Sequence, residues 1–186
     1  MEFKIYIFED FDSVSIQKLM FLQNFLPEDR KQTMQKCFYE RDRQIKTIEY
    51  FLVKQALKFD GIKKFRYTKN GKPFLPGFNN FNISHTSSSL VVGISDKKIG
   101  VDVQDFIDYE EKLAKHICSK KELLEINKSK NKSWELTKLW VMKESLIKLK
   151  GLTIARNLKT LLRKKSLYKF NIFETCGGLG CVCQKR

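Results

Sequence analysis

The sequence has no hydrophobic run long enough to form a membrane-spanning helix. Its first residues, MEFKIYIFED, place acidic residues within an apolar run and have no basic segment ahead of it, unlike a secretory signal peptide. It contains no internal repeat and no low-complexity segment, and only 3 of its 186 residues are proline. These absences exclude a repeat array, and we expect a soluble, cytoplasmic globular protein without a membrane partner.

Cysteines are few, and their number, 5, is odd. Cys176, Cys181 and Cys183 lie close together, but without paired CxxC spacing or a neighbouring histidine. We therefore expect reduced thiols rather than a disulfide framework. Two interpretations stay open for the three cysteines: a thiolate metal site, or small apolar residues of a last strand.

Acidic residues are also in short supply, with 21 Asp and Glu against 36 Lys and Arg, and the net charge is +15. This excess predicts attraction to polyanions or to an acidic protein surface, unless the lysines only solvate the surface. The sequence has no RNP-type motif, no zinc-finger spacing and no base-reading basic helix. A basic nucleic-acid-binding protein remains an alternative function.

Hydrophobic periodicity and turn residues predict the order of the elements. We expect a strand at FKIYIF, a helix over 13–25, a second helix starting near 27, a long helix over 41–59, a surface loop at YTKNGKPFLPGF and a helix over 134–150. Between these helices, LVVGIS and IGVDVQ are short β-rich runs separated by Asp96-Lys97-Lys98. We predict that these two runs form a hairpin.

The strand IGVDVQ carries a carboxylate among apolar residues. Alternation places Gly100, Asp102 and Gln104 on one face of this strand. A buried carboxylate without a partner would cost several kcal/mol, so Asp102 should have a cation, hydrogen-bond donors or a metal. The alternative is that Asp102 lies on an exposed face of the strand.

The stretch LWVMKESLIKLKG predicts an amphipathic helix. Its apolar stripe consists of Leu139, Met142, Leu146 and Leu149. A second face carries Trp140, Glu144 and Lys148 in steps of four. Glu144 and Lys148 could form an ordinary surface ion pair, or they could face a functional cleft.

Three motifs occur in order: NISH at 82–85, IGVDV at 99–103, and WVMKES at 140–145 followed by Lys148. Together they resemble the motif set of the Sfp-type 4′-phosphopantetheinyl transferases, and the NGKP of 70–73 resembles the GKP loop of that family. The resemblance implies an α+β fold of two similar halves with pseudo-twofold symmetry, each with a small antiparallel sheet packed on a long helix. Residues 1–98 would form the half that contacts the nucleotide of coenzyme A, and residues 99–186 the half with the metal and catalytic residues, with the active site between them.

The implied reaction transfers the 4′-phosphopantetheine arm of coenzyme A to a serine of an apo carrier protein and releases adenosine 3′,5′-bisphosphate. The resemblance assigns catalytic roles to Glu144 and Lys148, and Mg²⁺ ligation, with Mn²⁺ as an alternative ion, to Asp102, Gln104 and Glu144. The residues that it places near coenzyme A are Ser84, His85, Lys72, Lys46, Thr47, Lys31 (or the adjacent Arg30) and Lys148.

Gln104 departs from the family pattern, which usually has glutamate at this position. An amide oxygen can bind magnesium or hold a water, but it adds no charge. We therefore expect a working site with weaker metal affinity, and a degenerate transferase is a second alternative. Asp105 should not substitute, because it points to the other face of the strand. The resemblance further implies a monomer that docks an acidic carrier protein, with no nucleic-acid partner.

Overall fold

The computed structural model describes residues 3–152 and 158–186, which form an α+β fold. The elements are β1 (Lys4–Phe8), α1 (Ile16–Gln23), α2 (Glu28–Gln35), α3 (Glu40–Leu57), β2 (Arg66–Tyr67), β3 (Pro73–Phe74), β4 (Asn80–His85), β5 (Leu90–Ser95), β6 (Gly100–Asp105), α4 (Glu111–Ile117), α5 (Lys120–Lys128), α6 (Lys132–Lys150), β7 (Tyr168–Glu174) and β8 (Gly178–Lys185). Short 3₁₀ segments lie at Phe11–Ser13 and Leu158–Leu167.

The two main sheets repeat one topology. The first is antiparallel with strand order β1-β5-β4, and the second is antiparallel with strand order β6-β8-β7. In each sheet a single strand precedes a long helix, α3 or α6, which packs on the sheet, and a hairpin follows. The predicted fold class, two similar halves with a small antiparallel sheet on a long helix, is confirmed.

The predicted hairpin between LVVGIS and IGVDVQ is wrong, because β5 and β6 belong to different sheets. β5 is the central strand of its sheet, so both of its edges are already paired, with β1 and β4. The faces of β5 and β6 pack together instead. A Cβ on Gly93 would lie only 2.4 Å from Cγ2 of Val101, so the close approach requires glycine.

The YTKNGKPFLPGF segment is more ordered than the predicted loop. β2 and β3 form a short antiparallel pair within it. The turn between them is closed by a hydrogen bond from the Gly71 amide to the Thr68 carbonyl, and Gly71 has a φ of +77°. The asparagine-glycine signal therefore predicted the turn but not the flanking strands.

Local signals explain where the two long helices begin and end. Asn131 caps α6 by accepting a hydrogen bond from the Trp134 amide, and Gly151 ends it in a left-handed conformation. α3 ends earlier than the sequence predicted, because Lys58, rather than Gly61, adopts the left-handed conformation that stops the helix. The apolar stripe of α6 is confirmed, since Leu139, Met142, Leu146 and Leu149 pack in the core of the second sheet.

The hydrophobic core lies beneath the two long helices and between the two sheets. The first sheet packs on a core of α3 side chains, and the second sheet on a core of α6 side chains. A third cluster, with Val91, Val101, Val103 and Val182 among its members, fills the space between the two sheets. Within residues 3–152 and 158–186, no helix is both long and apolar enough to cross a membrane.

Candidate active site

A cleft of about 530 Å³ lies between the two sheets. The described residues that line it come from α2, α3, the β2–β3 hairpin, β4, β6 and α6. They are Arg30, Thr33, Lys46, Glu49, Tyr67, Gly71, Pro73, Ile83, Ser84, His85, Asp102, Gln104, Glu144 and Lys148. Seven of the residues that the resemblance selected are therefore brought together from four elements: Lys46, Ser84, His85, Asp102, Gln104, Glu144 and Lys148.

Asp102 is buried at the base of this cleft, with 2% of its surface exposed. Its Oδ1 accepts hydrogen bonds from Lys148 Nζ at 2.7 Å and from Ser84 Oγ at 3.0 Å. Its Oδ2 accepts a longer bond from Gln104 Nε2 at 3.3 Å. The expectation that this strand carboxylate needs a cation and donors is confirmed, and the exposed alternative is wrong.

Glu144 lies on α6 one turn before Lys148 and faces the same cleft. Its pKa is raised, first by burial and then by repulsion from Asp102, although the charge of Lys148 lowers it. Among the described residues its carboxylate has no hydrogen-bond or ion-pair partner. Asp102 and Glu144 are therefore close enough to repel each other, and among the described residues Lys148 is the one lysine bonded to either carboxylate. Such a pair of carboxylates is suited to binding a cation.

Gln104 turns its amide nitrogen toward Asp102, so the amide oxygen is directed away from that carboxylate. Its neighbour Asp105 is held elsewhere, by Ser88 Oγ at 2.6 Å and Ser87 Oγ at 3.2 Å. Asp105 is thus engaged on the other face of β6, as the alternation predicted.

Positive charge surrounds the other end of the cleft. His85 ends β4, and desolvation together with the charge of Lys46 lowers its pKa, so the neutral form of the ring is favoured. Lys46 Nζ lies 3.2 Å from Glu49 Oε2, and Arg30 Nη2 lies 2.8 Å from Glu49 Oε1. Burial raises the pKa of Glu49, but the neighbouring cations outweigh it and the net shift is downward. This carboxylate is therefore ionised, and it holds Arg30 and Lys46 in place.

Three of the predicted coenzyme A contacts lie outside the cleft. The Lys72 ammonium donates to the Ile99 carbonyl at 2.7 Å, on the side where Phe74, Lys98 and Leu149 form a separate hollow. The Thr47 side chain is fully buried against α2 and donates to the Arg43 carbonyl at 2.8 Å. Lys31 does not line the cleft, but the adjacent Arg30 does. Arg30 lies on the side of α2 that faces α3, where it donates to the Lys46 carbonyl.

Sequence reasoning missed Glu49, Tyr67 and Thr33. Glu49 follows Lys46 by one helical turn, and that spacing was the available signal. Tyr67 and Thr33 left no comparable signal, because the folding of the β2–β3 hairpin and of α2 against α3 brings them to the cleft.

The cysteines take no part in this cleft. Cys181 and Cys183 are buried in β8, where burial raises the pKa of Cys181 to about 12 and also raises that of Cys183. The interpretation as apolar strand residues is therefore confirmed for these two. Within the part of the chain that the structure describes, no group of three or more His, Cys, Asp and Glu side chains is arranged to hold a metal.

The fold and the cleft together describe an α+β protein of two like halves that share a charged site suited to an anionic ligand and a cation. Residues 98–176 match the sequence model of the 4′-phosphopantetheinyl transferase superfamily. The matched range includes Asp102, Gln104, Glu144 and Lys148, whereas Ser84 and His85 lie before it.

Two curated proteins are similar to this chain. The 4′-phosphopantetheinyl transferase gsp of Aneurinibacillus migulanus is 28% identical over 137 residues, which cover 64% of this chain and 56% of that protein. The 4′-phosphopantetheinyl transferase psf-1 of Bacillus pumilus is 29% identical over 107 residues, which cover 55% of this chain and 46% of that protein. The resemblance to 4′-phosphopantetheinyl transferases is therefore confirmed, and the chain spans about half the length of the curated relatives it matches.

Proposed function

We propose that this protein transfers the 4′-phosphopantetheine arm of coenzyme A to a serine of an apo carrier protein. The observation that carries the proposal is the meeting of Asp102, Glu144 and Lys148, from β6 and α6, in one cleft. These are the residues to which the family motifs assign the chemistry. The similarity to two 4′-phosphopantetheinyl transferases supports the same reaction.

Coenzyme A would lie with its nucleotide phosphates toward Arg30, Lys46 and His85 and its diphosphate toward Lys148. Arg30 and Lys46 are held by Glu49, so their cationic groups keep one geometry before the ligand arrives. Lys148 is the cation next to the two carboxylates, where the diphosphate would meet the metal. Ordered cations of this kind bind phosphates with little reorganisation.

The donor set fits a magnesium ion. Mg²⁺ is commonly held by one or two carboxylates together with substrate phosphates and waters. Asp102 and Glu144 supply the two carboxylates. Burial, and then the neighbouring charge of Asp102, raise the pKa of Glu144, so a bound cation would favour its ionised form. Gln104 would contribute through its amide oxygen or a water. When bound, the ion would act as a Lewis acid on the diphosphate, and Mn²⁺ could replace it.

The side chains of this protein would then position and deprotonate the nucleophile. The carrier serine hydroxyl attacks the diphosphate phosphorus that carries the pantetheine arm, a new serine–phosphate bond forms, and the bond to the bridging oxygen breaks. Adenosine 3′,5′-bisphosphate leaves with that oxygen and the electron pair. Glu144 accepts the serine proton, directly or through one water, and Lys148 neutralises charge on the diphosphate.

The finer expectations on organisation and partners belong to the same proposal. We infer that residues 1–98 hold the nucleotide and residues 99–186 the metal and catalytic groups. The net charge of +15 favours an acidic carrier surface, because opposite charges raise the rate of encounter. We further propose that the protein acts as a cytoplasmic monomer and without a nucleic-acid partner.

Intact-mass spectrometry of an apo carrier protein incubated with this protein, coenzyme A and Mg²⁺ tests the reaction. We expect a mass increase equal to one phosphopantetheine, lost in Glu144→Gln and on addition of EDTA. Glu135→Gln is the matched control, because Glu135 lies on the same helix and pairs with Lys138 away from the cleft. Coenzyme A binding without transfer to several carriers would indicate a degenerate enzyme. Absence of coenzyme A binding would contradict the proposed function.

A further inference from the structure

Two carboxylates at corresponding positions of the two halves connect the halves to each other. Glu9 directly follows β1, and Asp105 is the last residue of β6, the strand that takes the place of β1 in the second sheet. Neither is among the described residues that line the cleft. Each carboxylate bonds to a hairpin turn of the opposite half, so the two connections are reciprocal.

Glu9 of the first half bonds to the turn between β7 and β8. Its Oε1 accepts hydrogen bonds from the Cys176 amide at 2.7 Å and from the Ser89 hydroxyl at 3.2 Å. Cys176 belongs to the second half, whereas Ser89, which is fully buried, belongs to the turn between β4 and β5. One carboxylate oxygen therefore connects three segments: the end of β1, the β4–β5 turn and the β7–β8 turn.

Asp105 of the second half makes the opposite connection. Its Oδ1 accepts from Ser88 Oγ at 2.6 Å and its Oδ2 from Ser87 Oγ at 3.2 Å, both in the β4–β5 turn. The conformation of this turn is itself stabilised, because Thr86 Oγ1 accepts from the Ser88 and Ser89 amides. Four consecutive hydroxyl residues thus hold either the turn itself or a carboxylate beside it.

The β7–β8 turn packs tightly against this second connection. A Cβ on Gly177 would lie 2.7 Å from Ser88 Oγ and 2.9 Å from Asp105 Oδ1. A side chain at this position would therefore displace the hydrogen bond between Ser88 and Asp105, and only glycine allows the close approach. The two hairpin turns and the two carboxylates thus form one arrangement.

Both connections lie next to residues of the cleft. His85 ends β4 and is followed at once by the β4–β5 turn, and Gln104 directly precedes Asp105 on β6. His85 and Gln104 line the cleft from opposite halves. A bond between the turn and Asp105 therefore constrains the distance between the nucleotide side and the metal side of the cleft.

We infer that Glu9 and Asp105 are positioning residues that form a reciprocal clasp and set the width of the cleft. The clasp stands on the hydrogen bonds alone, whereas its effect on coenzyme A rests on the proposed function. A cleft of fixed width binds its ligand without first having to restrict the movement of the halves. Because both connections join the same two halves, either one alone should retain most of the constraint.

Amide hydrogen exchange, measured by NMR on the protein without ligand or metal, tests the clasp itself. We expect the Cys176 amide to exchange faster in Glu9→Ala than in the wild type, because its acceptor has been removed. Glu9→Gln keeps a side-chain oxygen and should restore much of the protection. Asp10→Ala is the matched control, since this neighbouring carboxylate is exposed and does not cap the 3₁₀ segment that follows it. Equal protection in Glu9→Ala and the wild type would overturn the inference.

Coenzyme A binding, measured by calorimetry in EDTA without a carrier protein, tests the effect on the cleft. At a temperature at which all variants are folded, Glu9→Ala and Asp105→Ala should each raise the Kd by about two- to fivefold. The double variant should raise it by more than the product of the two factors, because it alone releases both connections. Asp108→Ala, at an exposed carboxylate of the segment after β6, should bind as the wild type does.

The conservative variant separates positioning from a merely structural role. Asp105→Asn keeps an acceptor oxygen for one serine and should bind coenzyme A more tightly than Asp105→Ala. A double variant of Glu9 and Asp105 that is less stable but has the wild-type Kd, or one whose Kd rises by no more than the product of the single factors, would overturn the inference. If the wild type itself binds no coenzyme A, the proposed function fails, and the Cys176 exchange rate alone decides whether the clasp exists.

Discussion

Two lysines on α6 form ion pairs of similar length in different surroundings. Lys143 Nζ lies 2.9 Å from Glu122 Oε2, and Lys148 Nζ lies 2.7 Å from Asp102 Oδ1. The Lys143 side chain is 1% exposed and that of Glu122 is 11% exposed, so the first pair is closed off from water. The Lys148 side chain is 28% exposed and opens into the cleft.

The closed pair is bonded to two further groups of the chain. Lys143 also donates to the Ile117 carbonyl at 2.7 Å, and Glu122 completes the capping box of α5 with Ser119. The pair therefore fastens α5 to α6. The open pair has Glu144 beside it as a second carboxylate that lacks a bonded partner among the described residues. Lys143 and Lys148 belong to one sequence motif but have different roles. Their burial and their hydrogen-bond partners distinguish the structural lysine from the lysine of the cleft.

Removing the lysine of the open pair should have the largest effect on activity. In Lys148→Met we expect the transfer rate to fall by about 10²–10³-fold, because a charge-stabilising group at the diphosphate is lost. Steady-state kinetics with an apo carrier measure the change. The loss of unfolding free energy should be smaller than in Lys143→Met, because Asp102 keeps Ser84 and Gln104 as hydrogen-bond donors. A rate within about threefold of the wild type would contradict the role of Lys148.

Breaking the closed pair should give the largest effect on stability. Lys143→Met leaves Glu122 charged and without its cation, which should lower the free energy of unfolding by about 3–5 kcal/mol. Urea denaturation measures this change. The double variant Lys143→Met/Glu122→Leu should recover part of the loss, because apolar residues can replace both charges. If the double variant recovers no stability, the loss comes from the Lys143 contact with the Ile117 carbonyl and from the capping box of α5, and not from the unpaired charge.

The pH dependence of stability sharpens the comparison at Glu144. Its pKa is raised in the folded chain, so its contribution to stability is present below the unfolded-state pKa and is lost as the pH rises through the folded pKa. In EDTA, Glu144→Gln should therefore be more stable than the wild type at neutral pH. The difference should disappear below about pH 4, near the unfolded-state pKa of glutamate. Thermal unfolding across this range measures it, and a variant less stable at neutral pH would contradict the raised pKa.

The smallest effect is expected at Lys72, a third partly buried lysine. Burial and the charges of Lys98 and Lys148 lower its pKa to about 8, and its ammonium donates to the Ile99 carbonyl outside the cleft. Lys72→Met should therefore leave the KM for coenzyme A within about twofold of the wild type. A KM increase as large as that of Lys46→Met would place Lys72 at the nucleotide after all.

Local pattern predicted the parts of the site that a single element determines. The helical period placed Glu144 and Lys148 on one face of α6, and the alternation of β6 placed Asp102 with Gln104. The predicted hairpin between β5 and β6 was wrong because β5 pairs with β1 and β4 on its two edges. The pairing with β1 joins segments that are far apart in the sequence, so the local pattern did not reveal it. The sequence also did not reveal that Lys72 and Thr47 lie outside the cleft lining. Their directions depend on packing against Ile99 and α2, which spacing within one segment does not reveal.

Coenzyme A affinity measured by titration calorimetry with Mg²⁺, for the wild type, Lys148→Met and Lys143→Met, tests the distinction between the two pairs most directly. At a temperature at which all three proteins are folded, Lys148→Met should bind at least about tenfold more weakly, because it loses the cation at the diphosphate. Lys143→Met should bind with the affinity of the wild type. Equal affinities of Lys148→Met and the wild type, with weakened binding in Lys143→Met, would contradict the account.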